Sequence, residues 1–189
     1  MNLLPRQILA AAVLVTLLTT ASGEAPAEAL EPAAQSAFMN ALLRSDLPAV
    51  RALLVARPTL LTQVDRFGFT VLHLSATEEQ IKIQAFLIEA GARVNAPSND
   101  GSTPLHLAAN PKFAELLVRH GADINAKAKN GDTPLHSMAS EADKTDVVEA
   151  LVRLGASRAL KNNAGRTAFD IARDRHDREK MEILSRQRP

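Results

Sequence analysis

GDTPLHSMA, residues Gly131 to Ala139, has two close copies upstream: GSTPLHLAA at Gly101 to Ala109 and GFTVLHLSA at Gly68 to Ala76. A fainter copy starts at Gly165 and carries TAFD at 167 to 170. The four glycines lie 33, 30 and 34 residues apart, and each is followed two positions later by threonine. A second ladder runs beside the first. Gly91, Gly121 and Gly155, in AGARVNA, HGADINA and LGASRAL, fall 23, 20 and 24 residues after the first three of those glycines. Two phased signals with one common period mark a chain assembled from repeated supersecondary units.

The chemistry of one unit follows from its residue types. Glycine allows the positive backbone dihedral of a tight turn. Threonine caps a helix, and proline beside it suits the first helical position, where its missing N–H costs nothing. The Leu-Ala-Ala that follows is small or apolar, which predicts a short helix lying close to its neighbours. IKIQAFLIEAG, FAELLVRHG and VVEALVRLG then repeat apolar residues at three-and-four spacing and stop at glycine, as a packed second helix does. A single pair of helices cannot cover its own apolar face, so neighbouring pairs must stack.

Thr103-Pro104-Leu105-His106 with Gly121-Ala122-Asp123-Ile124-Asn125, and Thr133-Pro134-Leu135-His136, resemble the ankyrin repeat, with its Gly-Thr-Pro-Leu-His turn and Gly-Ala-Asp-Val-Asn exit. Other copies depart from that pattern: TVLH at 70 to 73 lacks the proline, and TAFD lacks both Pro and His. Upstream, FMNALLRSDLPAVRALLVARPTLLTQVD fits a helix pair with no opening turn and has Pro58 where the glycine belongs. Terminal units of a stack are atypical because one face meets water. The resemblance implies an all-α solenoid of about five helix-turn-helix units with projecting β-turn fingers. Its boundaries are about 35–65, 66–98, 99–128, 129–162 and 163–189.

The chain of 189 residues opens with MNLLPRQILAAAVLVTLLTTASG, in which Arg6 precedes an uncharged stretch from Ile8 to Ala21. That stretch falls short of the ~20 residues of a membrane span and suits the core of a signal peptide. Ala21 and Gly23 place small residues where a signal peptidase reads them, so residues 1–23 are expected to be removed between Gly23 and Glu24. An uncleaved anchor is the alternative. Residues 24–34, rich in Ala, Pro and Glu, read as a flexible tether. The chain has no cysteine, so disulfides cannot hold it in an oxidising compartment, and periplasmic export is expected over animal secretion. Full secretion is the alternative.

Without Arg6 the mature chain carries 21 basic and 21 acidic residues. The charges are unevenly spread. Residues 24 to 152 hold 11 basic and 16 acidic, whereas 153 to 189 hold 10 and 5. Such polarity can orient an approaching partner; the competing reading of RDRHDREK is a solvated capping helix. Export, zero net charge and the absence of Tyr and Trp argue against nucleic acid as a partner.

His73, His106 and His136 recur with the repeat, but equivalent positions in stacked helices lie about 8–10 Å apart. A shared metal would need ring nitrogens about 2.0–2.1 Å from the ion. No metal or cofactor is therefore expected. The resemblance implies instead that each histidine ties its own turn together by hydrogen bonds. No G-x-S-x-G, H-E-x-x-H or phosphate loop occurs and thiol chemistry is excluded, so no enzyme is expected.

In the ankyrin family, partners are held by the fingers and the adjoining face of the short first helices. Carried onto this chain, the finger positions are Arg66, Phe67 and Phe69; Asn99, Asp100 and Ser102; Lys129, Asn130 and Asp132; and Asn163, Ala164 and Arg166. The helix face adds Thr77, Glu78, Asn110, Ser140 and Glu141. Phe67 and Phe69 are read as anchors at a groove, with folding inward over the first unit as the competing reading, whereas Phe38, Phe86, Phe113 and Phe169 read as core. The third unit is three residues short, with Asn110-Pro111 opening a truncated second helix, which is compatible with a notch or a tolerated deletion. The expected role is that of a monomeric, non-catalytic binding module for another protein in the cell envelope. The alternative is a secreted effector or immunity-type inhibitor acting on a host, competitor or toxin protein.

Overall fold

The structure, a computed structural model, describes residues 27–76 and 80–186, with side chains from Ala34 onward. The leading segment 1–23, its expected cleavage point, and Thr77 and Glu78 lie outside the described residues. Within those bounds the fold is helical, with a single isolated antiparallel bridge between Val64 and Thr70.

Five units succeed one another. The first pairs α1 (Ala27–Leu43) with α2 (Leu47–Ala56) and ends in a 3-10 turn, Pro58–Leu61. The second pairs the one-turn α3 (Val71–Leu74) with α4 (Ile81–Glu89). In the third, a 3-10 turn (Pro104–Leu107) precedes α5 (Pro111–Arg119). The fourth holds α6 (Pro134–Ser140) and α7 (Thr145–Leu154), and the fifth α8 (Ala168–Asp174) and α9 (Arg178–Ser185). From the second unit onward the first helices or turns pack on one another, and second helices pack on second helices along the whole row. Between them runs one continuous core, from Phe38 and Leu42 through Leu72, Leu87, Leu105, Phe113, Leu117, Leu135 and Leu151 to Ile171 and Leu184.

Sequence chemistry accounts for the helix ends. Thr70, Thr103, Thr133 and Thr167 stand as N-caps in extended conformation, each in a reciprocal capping box with the residue three positions on. The second helices of the three middle units run into glycines with left-handed backbone, Gly91, Gly121 and Gly155. The third unit keeps a 3-10 turn because Asn110 is already extended, capping α5 with its side chain on the N–H of Phe113 at 2.9 Å. Only a few residues then remain between Thr103 and Asn110, too few for an α-helix and its connection.

Two expectations are corrected. Helix α1 begins at Ala27, so residues 27–34, read as a tether, are helical. Alanine, leucine and glutamate are strong helix formers, and Pro32 removes only one donor without ending the helix. Lys180, within the stretch read as solvated, is fully buried. Its ammonium donates to the carbonyls of Glu141 and Ala142 and pairs with Asp177 at 3.0 Å.

Lys180 belongs to a recurring device. Gln80, at the cap of α4, donates to the carbonyl of Leu42 at the end of α1, and Lys144, at the cap of α7, donates to that of Ala109 at 3.0 Å. In each case a long polar side chain near the start of a second helix donates to a carbonyl at or just past the end of the preceding unit's first helix or turn.

The turns between α1 and α2 and between α8 and α9 place Ser45 and His176 at φ 55° and 57°. An L-residue in that region is strained by about 1–2 kcal/mol, against about 0.4–1 kcal/mol of extra unfolded-state freedom for glycine. Ser45→Gly and His176→Gly are each expected to raise stability by about 0.5–1 kcal/mol, a gain of roughly 2–3 °C in a thermal melt. A lower melting temperature in either variant would refute the strain argument.

Candidate functional site

The fingers are tight turns bonded to each other through the main chain. Asn99 N–H donates to the carbonyl of Phe67 at 2.8 Å, Lys129 N–H to Asp100 at 2.8 Å, and Asn163 N–H to Asn130 at 3.0 Å. Two finger asparagines add side-chain bonds of the same sense: Asn99 Nδ2 to the Arg66 carbonyl and Asn163 Nδ2 to the Lys129 carbonyl, both 2.9 Å. The exit turns are joined in the same way, Asn95 bonding both the Gly121 carbonyl and the Asp123 N–H at 2.8 Å.

Each histidine serves two units. Nδ1 of His73, His106 and His136 accepts from the backbone N–H of Thr70, Thr103 and Thr133 at 3.1, 3.0 and 3.2 Å. The proton therefore sits on Nε2, which donates to the carbonyl of Ser102, Asp132 or Arg166 in the next finger at 3.0, 3.1 and 3.0 Å. The resemblance implied only the bond within the turn; the bridge to the next unit was not foreseen. Both ring nitrogens are thereby engaged. Burial pushes the imidazoles of His73 and His106 below their ordinary pKa, against the accepting carbonyls of Ser102 and Asp132 and the nearby finger carboxylates. In the last finger Asp170 takes over, accepting from Thr167 N–H at 3.0 Å and its hydroxyl at 2.8 Å.

Several residues expected to face a partner are engaged within the turns. Asp100 accepts from the hydroxyls of Ser98 and Ser102 and the N–H of Ser102, and these bonds, the Ser98 hydroxyl first, hold its carboxyl below the usual range. Asp132 accepts from Asn130 at 2.6 Å and from Asn162 at 2.7 Å. Ser140 returns its hydroxyl to the Ser137 carbonyl, and Asn110 caps α5. Arg166 pairs with Asp174 at 3.2 Å across exposed surface. Glu141 is exposed, though its carbonyl is held by Lys180. Lys129 and Ala164 project into solvent from their fingertips.

The first finger differs. Phe67 is 52% exposed, with the Arg66 guanidinium 4.7 Å from its ring centre. Phe69 lies 6.1 Å from Phe67 and stacks on the His73 ring at 5.3 Å, half-buried. The two rings thus divide the readings made of them: Phe69 leans inward and Phe67 outward. Phe38 and Phe113 are core, and Phe86 and Phe169 pack partly buried against it. Beside Phe69 an open hollow of about 610 Å³ lies between α1 and α3. The shortened third unit leaves Leu107 partly uncovered at 37% exposure. Among the described residues no cluster of His, Asp and Glu could hold a metal ion, and no helix is long and apolar enough to cross a membrane.

Comparison with known proteins agrees with this construction. The chain is 36% identical over 125 residues to a putative palmitoyltransferase ZDHHC13 of Danio rerio, covering 64% of this chain and 19% of that protein. It is 40% identical over 87 residues to the ankyrin repeat domain-containing protein SOWAHD of Homo sapiens, covering 42% and 27%. It is also 32% identical over 82 residues to the nuclear factor NF-kappa-B p105 subunit of Gallus gallus, covering 43% and 8%. The chain thus spans less than a third of the length of each of these relatives. The family model described as ankyrin repeats in three copies matches residues 38–128 and again 111–187. Capped turns, paired helices and stitched fingers therefore have a common source: the chain belongs to the ankyrin-repeat family.

Proposed function

We propose that the chain is a non-catalytic, monomeric protein-binding module of the cell envelope that holds its partner along the finger row and the short first helices. Its leading segment directs export to the periplasm and is removed between Gly23 and Glu24. The observation that carries the binding reading is Phe67. A large aromatic ring, half exposed at a fingertip and stiffened by Arg66, offers apolar area at low entropic cost, as residues that dominate interfaces do. Lys129, on a later finger of the same row, adds a cation that can steer approach.

The test is crosslinking and pull-down from an envelope extract with the wild type and with Phe67→Ala combined with Lys129→Glu. Both positions are exposed, so the fold should survive, which a thermal melt checks. Truncating a hot-spot aromatic costs about 2 kcal/mol or more, and recovery of the partner should fall at least tenfold. Undiminished recovery by the double variant would defeat the finger-row reading. Recovery of the processed chain from the medium in place of the periplasm would defeat the assigned location.

A further inference from the structure

The hollow between the first two units has a floor of Phe38, Leu60 and Val71, each at most 4% exposed. Its walls are Met39, Phe69 and Leu74, all half-buried. Asn40 and Val64 stand exposed at its rim, so one long side meets solvent. Sites that hold small molecules bury 70–90% of the ligand surface, and an open trough of this kind does not. It suits one large side chain entering from a polypeptide that lies across it. Exposed apolar surface continues from the hollow onto Val64 and Phe67 on the finger side, so it is continuous with the binding surface proposed above.

The charge on the described lining of the hollow has one sign. Among the described residues Asp65 is the sole charged one lining the hollow, and no lysine or arginine is in that lining. Asp100 stands on the adjacent finger, and both carboxylates act through charge on His73 beneath Phe69. The nearest finger cation, Arg66, is turned onto the Phe67 ring. Asp65 accepts the N–H groups of Phe67 and Phe69 at 2.8 Å through one oxygen, Oδ1, so the turn uses one side of the carboxylate.

We propose that this hollow receives a leucine- or phenylalanine-sized side chain from an extended segment of a partner protein, with a Lys or Arg beside it reaching Asp65. This rests on the protein-binding reading and adds the chemistry of what is bound. A library of random 12-residue displayed peptides, panned on the whole chain, should enrich sequences pairing a large apolar residue with Lys or Arg. Fluorescence anisotropy of an enriched peptide should show affinity falling at least tenfold on Leu74→Glu and on Asn40→Arg. The second substitution is exposed and leaves the core intact, so it remains informative if Leu74→Glu unfolds. Asp65→Asn keeps an acceptor for the turn and should weaken binding about threefold while flattening its salt dependence.

Enrichment of no sequence, or of sequences without such a pair, would overturn the proposal, as would equal binding by Asn40→Arg. So would decanoate competing fully with the peptide, or a self-associated chain that Asn40→Arg separates in sedimentation. An extract partner lost on the Phe67 variant but kept by Leu74→Glu and Asn40→Arg would leave the finger-row reading standing and remove the hollow from it.

Discussion

His106→Ala is expected to lower stability by about 3–5 kcal/mol. The ring is 1% exposed, and three bonds converge on it: from the Thr103 N–H, from the Thr103 hydroxyl, and to the Asp132 carbonyl. Alanine leaves the buried N–H without an acceptor, at about 1–3 kcal/mol. It also removes the bridge to the next finger, about 1 kcal/mol, and opens a cavity whose cost adds to both. His106→Asn separates the contributions. Its shorter side chain can accept from Thr103 N–H as Asp170 does from Thr167, but cannot reach the next finger, so about half the loss should remain. Urea denaturation of the two variants checks this. If they were equally destabilised, the local bond would carry none of the effect; if His106→Asn matched wild type, the bridge would carry none.

Gly131→Ala should cost about 2.5–3 kcal/mol and lower the melting temperature by roughly 8 °C, whereas Gly165→Ala should cost about 0.5–1 kcal/mol, the strain being partly offset by the unfolded-state freedom that glycine gives up. Both glycines have positive φ, 80° and 73°, and share the strain of about 1–2 kcal/mol that an L-residue meets there. They differ in what a Cβ would touch. At Gly165 there is nothing within 4 Å, while at Gly131 the backbone nitrogen of Asn163 lies at 2.6 Å. Making room pushes the last two fingers apart and breaks the Asn163 bonds to Asn130 and Lys129, at about 1 kcal/mol each. The difference between the two melts isolates finger-to-finger contact from backbone strain. Equal shifts would mean that the fingers move apart without loss.

Much of this was legible in the residues themselves. Thr, Pro and Gly mark helix starts, first positions and stops because the local backbone demands them, and that demand does not depend on the rest of the chain. Even the atypical TAFD could be read, since an aspartate three residues after a threonine still completes a capping box. What was not legible depends on register between units. Lys180 sits in a charge-rich stretch and reads as solvated until stacking brings the Glu141 carbonyl, 39 residues away, to its ammonium. Asn99, Asp100 and Asp132 carry the polar side chains of a contact surface, yet the adjoining turns take up much of their hydrogen-bonding capacity. Sequence gives the donor and acceptor, but only the assembled stack shows whether solvent, a partner or a neighbouring finger answers them. Helix α1 was missed at its start because proline and alanine together read as linker, although a helix tolerates one absent donor.

The finger ladder has a consequence for how such a molecule can change. Because each fingertip is fastened to the next chiefly by main-chain groups, the frame is nearly indifferent to the side chains at Phe67, Lys129 and Ala164. New specificities can be written there one letter at a time while the joinery stays as it is. The exceptions are Asn99, Asn163 and the pair Asp132 and Asn162, whose side chains double as fasteners, so diversification should spare those positions.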